Sequence, residues 1–241
     1  MADEIMNNKK KVAFFVEGQT EAIFLTELLF AYFSYQSLRV THRQAIGDDV
    51  VEIGVRGSPP QDTIYDILVL DCQGDNRVLS AIVDRQGYLH KQGYSEVIGL
   101  RDLFNPKSKG VTHADLKAEI DEYLAEQGCL ISSKVFIAVM EIEAWFLCAP
   151  DFFGKINHAL DSAAVTAAAG MDLSKTEIEA IAHPARIIEK VFATIGEAYN
   201  KSKGDTYRVT SKLNYEELVL EGPSRSSSLK EFVDHIHAAF S

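Results

Sequence analysis

The chain has 241 residues, enough for one large domain or a core with an appendage, and at 46% hydrophobic and 24% charged it fits neither a disordered nor a fibrous protein. Its apolar runs fall short of the ~20 residues that cross a bilayer, and Cys72, Cys129 and Cys148, with no CxxC spacing among them, argue against a disulfide framework or a zinc site. The net charge of −11, from 24 Lys+Arg against 35 Asp+Glu, excludes a protein that holds nucleic acid by bulk electrostatics alone. A polyanion would have to be met by a local basic patch, a metal or a partner chain. The polar N-terminus carries Lys9, Lys10 and Lys11 but no small-residue cleavage site, which reads as a cytoplasmic protein.

Lys11 to Val16 is a continuous apolar run, as expected of a strand buried on both faces, and it stops at Glu17-Gly18. Gln19-Thr20-Glu21 then opens an amphipathic helix over Ala22 to Phe30. Residues 38 to 56 read as two short strands about a turn at Gly47, followed by a Ser58-Pro59-Pro60 loop. A strand over Thr63 to Leu70 runs into the Asp71 to Asn76 turn, and a helix is predicted over 77–92. Ser95 to Arg101 is a further strand, ending at Asp102 before the Asn105 to Gly110 loop. A helix over Asp115 to Gln127 stops at Gly128, and a strand over Lys134 to Met140 ends at Glu141-Ile142-Glu143 before an apolar helix around Trp145. Beyond 150 the pattern is helical: Ala159 to Ala169, Thr176 to Tyr199 around Pro184, and Leu229 to Phe240, with Ser224 to Ser228 as a polar linker.

Strands alternating with helices at these spacings predict an α/β fold with a largely parallel sheet flanked by helices. The expected division is an α/β core over 1–150 and a mainly helical C-terminal extension over 151–241, packed on the core. Acids stand at four strand ends: Glu17, Asp71 with Asp75, Asp102, and Glu141 with Glu143. Each alone reads equally as a solvated carboxylate or a helix cap. Parallel strands would share one edge, and carboxylates gathered there are neutralised by a hard divalent cation, Mg²⁺ or Mn²⁺. Such an ion could activate water and stabilise the leaving oxygen of a phosphodiester. Glu141 lies nearer the strand end than Glu143; which of the two would be a ligand stays open.

Val16-Glu17-Gly18-Gln19-Thr20-Glu21 resembles the opening motif of Toprim-like domains, in which a strand-end Glu followed by Gly is the catalytic acid of topoisomerases, primases and overcoming-lysogenization-defect nucleases. The ordered series Gly99 to Phe104, Met140 to Phe146, His183 to Lys190 and Tyr199-Asn200-Lys201 resembles a Toprim-like family of bacterial defence gene clusters, so the likeness covers most of residues 11–201. One departure stands out: the Asp-x-Asp of Toprim domains is here Asp102-Leu103-Phe104, lacking its second acid. A second metal would then need Glu141 or an acid of the 71–75 turn. The resemblance implies a Mg²⁺- or Mn²⁺-dependent nuclease, the effector of an anti-phage abortive-infection system controlled by an ABC-type ATPase subunit. Glu17, Asp102 and Glu141 would be catalytic; Glu17, Asp71, Asp75, Asp102, Glu141 and Glu143 would supply metal ligands. Read from the residues, Arg186, Lys190 and Lys201 could contact DNA or RNA phosphates, and equally read as ordinary exposed charges.

The other chemistries find no motif. GxGxxG and GxxxxGK[ST] are absent, as are HExxH and GxSxG. Arg186 and Lys190, four apart, share a helical face. Two rivals to the nuclease remain: a non-catalytic Toprim-like adaptor or regulatory subunit of such an ATPase, and a metal-dependent hydrolase of a small phosphoester. No membrane partner is expected, and the reading leaves room for a homo-oligomer.

Overall fold

The protein is described by a computed structural model over residues 9–47, 49–74, 77–103 and 110–241. Asp75 and residues 104–109, which include most of the expected loop after Asp102, lie outside the described residues. The fold is α/β: a six-stranded, mostly parallel sheet flanked by helices, with helices making up the C-terminal part.

In chain order the first half comprises β1 (Lys10–Val16), α1 (Gln19–Tyr32), β2 (Leu38–Ile46), β3 (Asp49–Gly57), β4 (Tyr65–Asp71), α2 (Arg77–Lys91), β5 (Glu96–Leu103), α3 (His113–Glu126) and β6 (Ser132–Val139). The strand order is β3-β2-β4-β1-β5-β6. β1 pairs in parallel with β4 on one side and β5 on the other, β2 is parallel to β4, and β3 returns antiparallel to β2. The continuous apolar runs of β1 and β4 mark them as interior strands: Val12 to Val16 have no exposed surface, and Ile67 to Leu70 are at most 5% exposed. β3 is an exposed edge strand, tied back where Arg56 pairs with the buried Glu27 of α1. α2 follows the amphipathic pattern, burying Val78, Ile82, Gln86 and Leu89.

Gly99 in β5 shows what close packing asks of the sequence. A Cβ placed there would lie 2.7 Å from Val135 Cγ2 of β6 and 3.1 Å from both Ile82 Cδ1 and Val78 Cγ1 of α2. All three neighbours are themselves fully packed and β-branched, so little can yield. Gly99→Ala is therefore expected to cost about 1–2 kcal/mol by overpacking, read as a lower urea midpoint with an unchanged slope. A midpoint equal to the parent's would show that the β5–β6 packing is looser than described.

The chain forms two compact units, residues 1–101 with 114–136, and residues 102–113 with 137–241. The expected division at residue 150 thus falls inside the second unit, which takes in Asp102, Glu141 and Glu143. Its helices are α4 (Glu143–Phe146), α5 (Phe152–Ile156), α6 (Ser162–Ala169), α7 (Pro184–Ala193), α8 (Lys203–Thr210), α9 (Tyr215–Leu220) and α10 (Ser227–Phe240). The helical pattern expected over Thr176 to Tyr199 resolves into a short 3₁₀ turn, Ile178–Ala180, and α7, because Pro184 lacks the N–H that a helix interior needs and so sits at its start. No helix among the described residues is long and apolar enough to cross a membrane.

Candidate functional site

In the first unit the acids at the ends of β1 and β4 come together by register. Val16 pairs with Asp71, so Glu17, the next residue, stands at the same carboxyl edge. The loops beyond are joined: Cys72 N donates to Val16 O at 2.8 Å and Gly74 N to Glu17 O at 2.9 Å. The topology marks this edge. The connection from β1 through α1 runs to β2, past β4, and the connection from β4 through α2 runs to β5, past β1. Right-handed crossovers in opposite directions put α1 and α2 on opposite faces. β1 and β4 are then the switch point, where open α/β sheets leave a crevice for ligands.

Asp71 is only 3% exposed and its carboxylate is held by amides. Oδ1 accepts from Gln73 N at 3.0 Å, and Oδ2 from Gln73 Nε2 at 2.6 Å and Gln44 Nε2 at 3.2 Å. Gln44 can reach because β2 and β4 pair it with Asp71. Gln73 has φ 57°, a left-handed backbone uncommon outside glycine, and its two bonds to Asp71 hold that geometry. Glu21, in the first turn of α1, is also buried, with Oε2 close against Gly18. Burial pushes the Cys72 thiol up to about 12, Asp71 adding to the effect, Arg85 and Arg77 opposing it and Glu17 reinforcing it. Cys72 is therefore an inert thiol whose surroundings contain both acids and two guanidinium groups.

Among the described residues no group of three or more His, Cys, Asp or Glu is placed to hold a metal ion. Glu17 and Asp71 stand at one carboxyl edge, and each offers hard carboxylate oxygens. Mg²⁺ is commonly held in that way, by one or two carboxylates with water and substrate phosphate completing the shell. The donor chemistry thus fits one such ion, with Gln44 and Gln73 fixing the orientation of Asp71 as outer partners.

The second unit uses its acids differently. Asp102 lies inside β5, which continues to Leu103, rather than beyond the strand's end. Met140, at φ 74°, turns the chain out of β6, and Glu141 and Glu143 follow. Lys201 Nζ bridges them, 3.0 Å from Glu141 Oε1 and 2.9 Å from Glu143 Oε2. Glu141 Oε2 also accepts from Ala185 N at 3.2 Å, in the first turn of α7, where the helix dipole favours an anion. Glu143 is fully buried and its Oε1 accepts from Tyr199 OH at 2.9 Å. Burial pushes the Glu143 carboxyl up, with Lys201 opposing. Burial pulls the Lys201 ammonium down, but Glu143 and Glu141 outweigh it and hold the group above its ordinary value. The lysine expected to contact substrate thus pairs with the two acids expected to hold metal. Arg186 and Lys190 are exposed on α7, where they share a face as the spacing requires.

Ser224 to Ser228 is not a linker. Ser226 caps α10, its Oγ accepting from Leu229 N at 3.0 Å, and Ser228 Oγ accepts from the buried Trp145 indole at 3.0 Å. Ser226 Oγ, Ser227 Oγ and Ser228 N all donate to Glu179.

The sequence reading missed Gln44, Gln73, Arg77 and Arg85. The first three flank turns or sit opposite Asp71, which only the strand order reveals; Arg77 and Arg85 carry the one local signal, two cations eight residues apart on one face of α2. Comparison of this chain with protein-family models, with curated proteins and with solved structures finds no match.

Proposed function

We propose that the chain is a divalent-metal-dependent phosphodiester hydrolase acting on nucleic acid, working from the carboxyl edge of β1 and β4. The observation that supports this reading is the register that pairs Val16 with Asp71 and so brings Glu17, the next residue, to the same carboxyl edge at the switch point of a parallel sheet. Glu17, at the more open position, would move a proton to or from the attacking water or the leaving oxygen. Asp71, its carboxylate held in place by Gln44 and Gln73, would be the residue to hold the ion. Mg²⁺ or Mn²⁺ bound there would neutralise charge developing on the phosphoryl oxygens. The strand-end Glu-Gly of the Toprim resemblance falls on this same residue, Glu17. That resemblance alone supports the further expectation of an anti-phage effector under an ABC-type ATPase subunit.

The adaptor reading has an observation of its own: Glu141 and Glu143 are bound to Lys201, as acids serving structure would be. The two readings part on metal binding. Titration of the purified chain with Mn²⁺, followed by electron paramagnetic resonance, is expected to show one site, lost in the Glu17→Gln, Asp71→Asn double variant, alongside Mn²⁺-dependent cleavage of a DNA or RNA strand. Absence of any Mn²⁺ site in the parent chain would remove the hydrolase and leave the adaptor.

A further inference from the structure

A second feature of the first unit lies beside the acidic edge. A cleft of about 290 Å³ opens between α2 and the turn that joins β2 to β3, lined by Ala45, Gly47, Cys72, Arg77, Asp84 and Arg85 among others. Arg77 and Arg85 lie on one face of α2, about 12 Å apart along its axis. Arg77 Nη2 reaches across toward Gly47 O at 3.5 Å, a long contact. Arg85 is half-buried, and its Nε, shielded from solvent, has no hydrogen-bond partner among the described residues. A buried guanidinium N–H without an acceptor is costly, and an oxyanion supplies the planar, two-oxygen acceptor it is shaped for. Cys72 joins the cleft to the acidic edge, since it follows Asp71 directly and lines the cleft wall. Of the charged groups lining the cleft among the described residues, two are guanidiniums and one, Asp84, is a carboxylate. In a chain of net charge −11 such a locally cationic cleft is the kind of patch that a polyanion would need.

We infer that this cleft is a phosphate-binding subsite, in which Arg77 and Arg85 hold a backbone phosphate of a nucleic-acid strand and so set the neighbouring phosphodiester against Glu17 and Asp71. The inference rests on the hydrolase reading for its choice of ligand, but the subsite is tested without catalysis. It also moves the phosphate contacts from Arg186, Lys190 and Lys201, where the sequence put them, to two arginines of α2. Sequence-independent contacts of this kind fix a strand's position and leave base preference to other groups.

The test is binding of a fluorescein-labelled single-stranded DNA dodecamer and its RNA counterpart, in Ca²⁺ to prevent cleavage, followed by anisotropy across a salt series. Inorganic phosphate serves as competitor. Arg85→Gln is expected to weaken binding about tenfold or more, and the Arg77→Gln, Arg85→Gln pair further. The slope of log affinity against log salt should fall by about 1 per contact removed. Arg85→Lys, which keeps the charge but not the fork, should recover part of the loss, and melting curves by circular dichroism check that each variant folds. Arg186→Ala with Lys190→Ala should leave affinity unchanged. Oligonucleotide affinity and salt slope unaltered in the Arg77, Arg85 pair would overturn the inference. So would binding of inorganic phosphate with no binding of either oligonucleotide, which would assign the cleft to a small phosphorylated molecule. If the pair loses strand binding while the parent chain cleaves nothing in Mn²⁺, the subsite stands and the hydrolase reading falls.

Discussion

Lys201→Met is expected to destabilise the protein by about 3 kcal/mol at pH 7. The change leaves Glu143, fully buried, with Tyr199 OH as its one side-chain donor among the described residues. Removing one partner of a buried ion pair costs roughly 3–5 kcal/mol because the other charge is left uncompensated, and the lower end applies since the lysine side chain is 38% exposed. The loss should depend on pH in a fixed direction. Burial already holds the Glu143 carboxyl above its ordinary value of 4.5, and without the ammonium it would rise further. A group whose pKa is raised by folding binds its proton more tightly in the native state, so its contribution is most favourable below the ordinary value and is lost as pH rises through the folded one. The deficit of Lys201→Met relative to the parent should therefore be small near pH 4.5 and grow toward pH 7. In the parent the raised Lys201 gives the mirror effect at the alkaline end: its stabilisation persists below its ordinary value of 10.5 and is lost as pH climbs through the higher folded one. Urea titrations at a series of pH values measure both. A deficit of equal size at pH 4.5 and pH 7 would show that the variant loses packing and not charge compensation.

This cluster also shows where the sequence stops being legible. β1 and β4 could be read because an unbroken apolar run ended by Glu17-Gly18 or Asp71-Cys72 is a local signal, and local signals need no knowledge of the fold. The strand alternation gave the α/β class for the same reason. The exchange of Lys201 between Glu141 and Glu143 has no such trace: the partners are about 60 residues apart, and the left-handed turn at Lys201 that aims the ammonium occurs at a residue type that rarely adopts it. A strand-end acid in the sequence looks the same whether it meets a metal or a lysine. The serines at 226–228 were legible but misread, since a run of Ser immediately before an apolar periodic stretch is a helix N-cap signal, and the cap is what forms. Arg77 and Arg85 look in sequence like the solvated face of any amphipathic helix. Only the order β2-β4-β1, which brings the β2–β3 turn over α2, makes a cleft of them.

At the acidic edge itself, Glu17→Gln and Asp71→Asn are expected to separate chemistry from structure. Both replace a carboxylate by an isosteric amide, so volume and packing are kept. Glu17 is half-buried at the mouth of the edge, and the amide keeps its volume, so the change should cost less stability than Asp71→Asn. If Glu17 moves the proton in the proposed hydrolysis, its loss should cost about 10²–10⁴ in cleavage rate. Asp71→Asn differs because three N–H groups point at its oxygens: Gln73 N, Gln73 Nε2 and Gln44 Nε2. An amide can keep its oxygen on Gln73 N, but its NH₂ then faces the two glutamine amides, which must flip to accept from it and give up their present arrangement, at a cost of up to roughly 1–3 kcal/mol where a flip is blocked. Asp71→Asn should thus lose both activity and thermal stability, and Gln44→Leu, which withdraws the opposing donor, should return part of the stability to it without returning the activity. The measurements are single-turnover cleavage in saturating Mn²⁺ and urea midpoints for the four chains. A Glu17→Gln chain that cleaves at the parent rate would take the catalytic role from this residue. A Glu17→Gln chain that melts as early as Asp71→Asn would mean that both acids hold the β1 and β4 loops together, and that the edge is structural.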